Sequence, residues 1–174
     1  MDLIPSFSVD HTRIVPGIFE SRVDIMDGAA VTTYDVRLKR PNKEPAVAPA
    51  AMHTMEHVIA TYLRNHPCWK DRLVYWGPMG CLTGFYIIIK GRIPASELYP
   101  VMLEAFRYMR DFEGEVPGAT PENCGNYLMH DLPMAKWEAA RYVEYLETAD
   151  LNRIFEYPKA ERLKLEPDME FFDS

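Results

Sequence analysis

The stretch AAVTTYDVRLKRPNKEP, residues 29–45, alternates with period two: Val31, Thr33, Asp35 and Arg37 fall on one side, Thr32, Tyr34, Val36 and Leu38 on the other. Such alternation, rich in β-branched and aromatic residues, predicts a strand, and Pro41-Asn42 predicts the turn that ends it. The period then changes. After VAPAAM (47–52), the segment HTMEHVIATYLRNHP (53–67) places Met52, Met55, Val58, Ile59, Tyr62 and Leu63 at helical spacing and stops at Pro67. Working outward, a Gly/Pro turn within VYWGPMGCLTGFYIIIKG feeds a β-prone run from Thr83 to Ile89 that ends at Gly91, with Cys81 at the junction. Ser96 is placed to cap a helix running to about Phe112, whose Leu98, Met102, Ala105, Phe106 and Met109 form an apolar stripe. A Gly/Pro-rich loop follows, in which Thr120-Pro121 predicts a capped helical turn, and a last helix is expected from about Met134 to Leu146. Strands with tight turns, not strictly alternating with helices, define an α+β domain: a small antiparallel sheet packed against helices.

Composition narrows the class. At 174 residues and 48% hydrophobic, the chain is long enough for one compact domain and short for two. We expect a single domain over residues 1–153 and an acidic, Pro-punctuated tail over 154–174 that lies on the surface or frays. A net charge of −7 argues against nucleic acid or an anionic membrane as partner. The N-terminal MDLIPSFSVDH has neither a basic nor an apolar signal region, and the longest apolar run, FYIII at 85–89, is far below a membrane span. A cytoplasmic protein with reduced thiols is expected. The three cysteines, Cys68, Cys81 and Cys124, are odd in number and form no C-x-x-C pair, which disfavours a disulfide framework or a four-thiolate zinc site. No G-x-G-x-x-G or P-loop occurs, so the common nucleotide cradles are missing.

The chemistry concentrates in HTMEH, residues 53–57. On a helix His53 and His57 are i and i+4, their Cβ atoms roughly 5–6 Å apart, so two imidazoles can converge on one ion. Glu56 can stand beside that ion without ligating it, where a general base belongs. A catalytic ion usually takes three protein donors and keeps one position open. Cys124, Cys81, His11, His66 and His130 are the candidates for the third. His66, i+9 from His57, suits a helix end better. Cys124, beside Gly125 in a polar turn, offers a soft thiolate that suits iron or zinc with two imidazoles, but the same residue type also serves as a small core filler. Cys81 sits in GPMGC, where Gly77, Pro78 and Gly80 can present the thiol to a cavity; a core role fits the string equally. Cys68 reads as structural. H-x-x-E-H is also the inverted zinc-protease motif, so a metallopeptidase-like hydrolase is the alternative, one that typically takes a downstream carboxylate as third ligand. A non-enzymatic metal protein would instead close the site with a fourth ligand such as His130.

Several ordered motifs carry a resemblance. SFSVDHT (6–12), YDVRLKRPNKEP (34–45), HTMEH, GPMGCLTGFY (77–86) and CGNYLMHDLPMAK (124–136) together resemble the LuxS family of S-ribosylhomocysteine lyases over nearly the whole chain. The resemblance implies a homodimer in which two sheets meet, with active sites at the interface and a ferrous ion that zinc or cobalt can replace. It implies His53, His57 and Cys124 as metal ligands and Cys81 and Glu56 as the acid/base pair. Ser6, His11 and Arg37 match positions lining the substrate pocket, His11 being one that the partner subunit can contribute. The implied reaction splits S-ribosylhomocysteine into homocysteine and 4,5-dihydroxypentane-2,3-dione, the precursor of autoinducer-2, in methyl-cycle detoxification and quorum sensing. Two departures stand out. Leu82 follows the cysteine where Arg or Gln is common, and IVPGIFESR (14–22) differs from the Ala-Pro-Tyr stretch common in the family.

Overall fold

The structure, a computed structural model, describes residues 9–158. Its elements are β1 (Gly17–Met26), β2 (Ala29–Arg37), α1 (Pro49–Asn65), β3 (Leu73–Pro78), β4 (Gly84–Lys90), α2 (Ala95–Asp111) and α3 (Leu132–Thr148). The four strands form one antiparallel sheet in the order β1-β2-β4-β3. This is the expected α+β architecture with two strands more than the sequence reading assigned. β1 pairs with β2 through a hairpin whose Asp27 and Gly28 take φ of 49° and 80°, the left-handed pair that a tight two-residue hairpin requires. β3, read from sequence only as a Gly/Pro turn, is a short edge strand with Val74 and Tyr75 exposed.

β2 and β4 lie in the middle of the sheet in a register that sets Tyr34 opposite Ile87, Val36 opposite Phe85 and Arg37 opposite Gly84. Tyr34, Val36, Phe85, Ile87 and Ile89 point into the helices, where Met52, Met55 and Ile59 of α1 and Leu98, Met102 and Phe106 of α2 complete the core. Helix α1 therefore buries the predicted apolar stripe and leaves His53, Glu56 and His57 half-buried along its flank. It ends as expected: His66, held extended before Pro67, is its C-cap.

Three expectations need correction. Ser96 does not cap α2, which begins at Ala95 after Pro94 with no side-chain cap. Helix α3 starts two residues before Met134, because the Asp131 carboxylate accepts the Met134 N–H at 3.0 Å and Pro133 suits a first turn that has no N–H partner. The start of the stretch read as a surface tail is packed. Ile154 is buried and its carbonyl accepts the Ile18 N–H at 2.8 Å, while the Tyr157 ring stacks on Phe19 at 4.7 Å. Residues 159–174 lie outside the described residues. One buried ion pair, Lys39 Nζ to Glu138 Oε2 at 2.5 Å, joins the end of β2 to α3.

Gly84 lets β4 approach β2: a Cβ there would stand 2.4 Å from the Val36 carbonyl oxygen, whereas a Cβ on Gly80 would meet nothing within 4 Å. Gly84→Ala is expected to lose about 1–3 kcal/mol in urea unfolding, the range for forced overpacking. Gly80→Ala serves as the control and should unfold at the wild-type midpoint.

Candidate metal centre and thiol site

The segment between α2 and α3 contains no helix or strand, yet it reaches α1 at defined points. The His53 Nδ1–H donates to the Met129 carbonyl at 2.9 Å and the His57 Nδ1–H to the Pro117 carbonyl at 2.7 Å. A carbonyl only accepts, so each ring must keep its proton on Nδ1, and a neutral ring then carries its lone pair on Nε2. Gly118, at φ 69°, makes the turn that delivers the Pro117 carbonyl. A single turn follows, in which the Thr120 carbonyl accepts the N–H groups of Asn123 and Cys124 at 3.1 and 3.0 Å, and it brings Cys124 Sγ to 3.4 Å from His53 Nε2. The Asn126 N–H points at the same sulfur at 3.4 Å.

One ligating atom from each of His53, His57, Cys124 and His130 falls within 4.8 Å of the others. Imidazole nitrogens and a thiol sulfur suit a borderline-soft divalent transition ion, and the Nδ1 bonds of His53 and His57 are the outer contacts that orient imidazole ligands. The residues therefore fit a metal site. The structure brings together His53, His57 and Cys124, and adds His130, which the spacing left among several candidates. Burial and the neighbouring His53 and His57 rings hold the His130 imidazole below the ordinary histidine range. Glu56 lies between the two α1 histidines, half-buried, with no hydrogen bond or ion pair to another described residue. His66 is turned away toward Tyr62 and Glu104, in keeping with a helix-end role.

A second cluster forms on the far face of the sheet. The Cys81 side chain is solvent-accessible at the crest of a turn closed by Met79 and Gly84, and its Sγ lies 3.1 Å from Thr83 Oγ1 and 3.8 Å from Arg37 Nη1. Arg37 Nη1 donates to Thr83 Oγ1 at 2.6 Å, which leaves the threonine hydroxyl proton for the sulfur. Partial burial raises the Cys81 thiol, but the Thr83 hydroxyl, the Thr83 backbone and the Arg37 guanidinium outweigh it, and the net position is below the usual thiol range. Arg37 is buried. It grips Asp35 in two places, Nη2 to Oδ2 at 2.5 Å and Nε to Oδ1 at 3.1 Å. Burial pushes the Asp35 carboxyl up while Arg37 and the Tyr157 hydroxyl, 2.7 Å from Oδ2, act against it. The bidentate guanidinium keeps this pair ionic.

His11 and Arg37 line one small cavity together with Tyr86 and Tyr157. The His11 Nδ1–H is turned to the Val9 carbonyl at 2.9 Å. Ser6 lies outside the described residues. The two clusters are joined through the main chain: the Leu82 carbonyl, beside Cys81, accepts the Val47 N–H at 2.9 Å just before α1 begins. Leu82 takes φ 57°, a left-handed conformation uncommon for a residue with a side chain and found most often at functional turns. Thr54, Thr83 and Tyr157 were not singled out by sequence. Asp35, two residues from Arg37 on the same strand face, is legible there as its pairing partner.

The fold and site together define an α+β domain with a candidate metal centre of imidazoles and a thiol and, on a separate turn, an accessible thiol held below its usual range. The sequence profile of the family described as S-Ribosylhomocysteinase (LuxS) matches residues 4–152, and the chain belongs to that family. It is 56% identical over 162 residues to an S-ribosylhomocysteine lyase of Phocaeicola vulgatus, covering 92% of this chain and all of the relative. It is 51% identical over 158 residues to one of Porphyromonas gingivalis, covering 91% and 99%. A relative from Clostridium acetobutylicum with the same name is 42% identical over 159 residues, covering 91% and 100%. Among the described residues, no helix is long and apolar enough to cross a membrane.

If Thr83 and Arg37 sustain the Cys81 thiolate, alkylation of Cys81 begins at a pH below that of an ordinary thiol, because the reactive form is the anion. Thr83→Val should move the midpoint of the iodoacetamide rate profile upward, toward the free-cysteine value near ~8.5. Mass-spectrometric readout separates Cys81 from exposed Cys68.

Proposed function

We propose that this chain is an S-ribosylhomocysteine lyase that releases homocysteine and 4,5-dihydroxypentane-2,3-dione, the autoinducer-2 precursor, by carbonyl migration and β-elimination. The observation that carries the reading is the convergence of His53, His57 and Cys124 beside Glu56 in a chain whose full-length relatives bear that name. A ferrous ion, replaceable by zinc or cobalt and held by His53, His57 and Cys124, supplies Lewis-acid polarisation of the sugar oxygens.

The remaining work falls to side chains. Thioether cleavage needs an acidic C–H next to a carbonyl and a leaving sulfur one carbon further on, and the opened sugar has its aldehyde too far from the sulfur. The carbonyl must first move from C1 through C2 to C3. Each shift takes a proton from one carbon and returns one to its neighbour, so no net redox occurs. Cys81, accessible and held toward its thiolate by Thr83 and Arg37, is suited to that carbon-to-carbon transfer. Glu56 has no partner among the described residues to occupy its carboxylate and is suited to move protons among the sugar oxygens. In the last step Glu56 takes the C4 proton, the C5–S bond breaks, and homocysteine departs as a thiolate with the bonding pair. Ser6, His11 and Arg37 contribute to the substrate pocket, Arg37 also by fixing Cys81. The enzyme acts in the cytoplasm as a homodimer with its sites at the interface.

Iron-loaded protein given S-ribosylhomocysteine should release thiol well beyond the chain's own three cysteines. Cys81→Ala and Glu56→Gln should each lower turnover by at least ~10²-fold, the scale of a lost acid/base group, with metal content near one per chain. Cys124→Ala should lose the metal itself. No thiol release from fully metallated wild type would overturn the assignment.

A further inference from the structure

His130 is the member of the cluster that the proposed chemistry leaves without a task, and its surroundings specify one. Thr54 has a single hydroxyl proton, which it gives to the Ala50 carbonyl at 2.9 Å. The same oxygen accepts the Asp131 N–H at 2.9 Å and lies 3.2 Å from His130 Nδ1. With no proton left on Thr54 to give, the bond to His130 exists only if Nδ1 is the donor, and a neutral ring then has its lone pair on Nε2. That Nε2 is shielded from solvent and has no hydrogen-bond partner among the described residues. A buried acceptor left unmatched costs about 1–3 kcal/mol, so whatever enters the centre is selected to satisfy it.

A metal ion is the obvious candidate, but the ring geometry argues against it. An imidazole nitrogen holds a metal in the plane of its own ring. His53 and His57 stand at 89° to each other with centroids 4.6 Å apart, an arrangement in which both planes can contain one ion. His130 lies over His53 at 17° with centroids 4.2 Å apart. Two rings stacked in that way cannot both have the same ion in plane. His130 is therefore a neighbour of the centre and not a fourth ligand, which leaves the open position that a catalytic ion needs.

We propose, resting on the lyase reading, that His130 Nε2 accepts a hydrogen bond from a hydroxyl group of the substrate's sugar chain and so sets which carbon of the chain faces the acid/base pair. The choice of hydroxyl follows from proton inventory. The substrate's carboxylate, carbonyl and thioether have no proton to offer; its α-ammonium and its sugar hydroxyls do. Of these the hydroxyls are the donors beside His130, because its ring lies over His53 and the lyase reading sets the sugar oxygens at that centre. The interaction is thus available only while the facing carbon bears O–H and lapses when the carbonyl arrives there, so it favours one register of the chain over the next.

Two measurements test this, both on the full-length Cys81→Ala protein, whose expected loss of turnover keeps substrate bound long enough to observe. In the zinc-loaded, ¹⁵N-histidine-labelled protein, Nε2 of His53 and His57 should show metal-bound shifts, while Nε2 of His130 keeps that of a free unprotonated nitrogen and moves when S-ribosylhomocysteine is added. In the cobalt form, His130→Leu should keep one cobalt per chain with the resting absorption bands unchanged, yet need roughly tenfold more substrate for the substrate-induced band shift, the effect of one lost hydrogen bond. His130→Gln, whose amide oxygen can accept, should recover part of that affinity. A metal-bound shift at His130, loss of cobalt in His130→Leu, or unaltered substrate affinity in that variant would overturn the proposal. If substrate moves neither signal with His130 in place, the lyase reading falls with it.

Discussion

Two hydrogen bonds from the imidazoles of α1 hold in place the longest irregular segment among the described residues. Residues 112–131 contain no helix or strand, and most of their side chains are exposed, so little apolar burial fixes them. The Nδ1–H groups of His53 and His57 anchor the segment at Met129 and Pro117, and Thr54 adds a third attachment through Asp131. The same bonds decide which nitrogen each ring turns toward Cys124. Order in the segment and competence of the centre are thus one property, since a carbonyl that drifted away would free both the loop and the tautomer.

The sheet's second face rests on a different kind of interaction. Asp35 and Arg37 are both nearly excluded from solvent, and a buried ion pair contributes little stability once desolvation is counted. Its value lies in direction. The guanidinium is gripped on two sides by the carboxylate, so its remaining nitrogen points at Thr83 and Cys81 without freedom to wander. A rigid cation near a thiol does for Cys81 what a flexible lysine on the surface would not.

What was legible in the sequence follows the range of the forces involved. His53 and His57 stand out because helical spacing alone aligns them, and β2 stands out because alternation is local. β1 escaped notice because its first half is buried on both faces and its second half exposed, so no alternation survives; Asp27-Gly28 was the one local sign of its hairpin. β3 is short and carries a register shift between Leu73 and Tyr75. Cys124 and His130 reach the centre through bonds between a loop and a helix some 70 residues away in sequence, which no spacing rule encodes. Family resemblance supplied Cys124. The Cys81–Arg37 contact likewise depends on the β2–β4 register, which sets Arg37 opposite Gly84.

The Tyr157–Asp35 bond spans 122 residues and bears on how the chain comes off the ribosome. Synthesis runs from the N-terminus, and Asp35 emerges with the hairpin long before the residue that completes its hydrogen bonding. Until Tyr157 arrives, the carboxylate has only Arg37 and solvent, and the Phe19 ring beside it lacks its stacking partner. The nascent sheet can gather its helices on one side while the other side stays wet. Closure of that second side therefore waits on the arrival of Tyr157, and a chain cut short before that residue would present it permanently open.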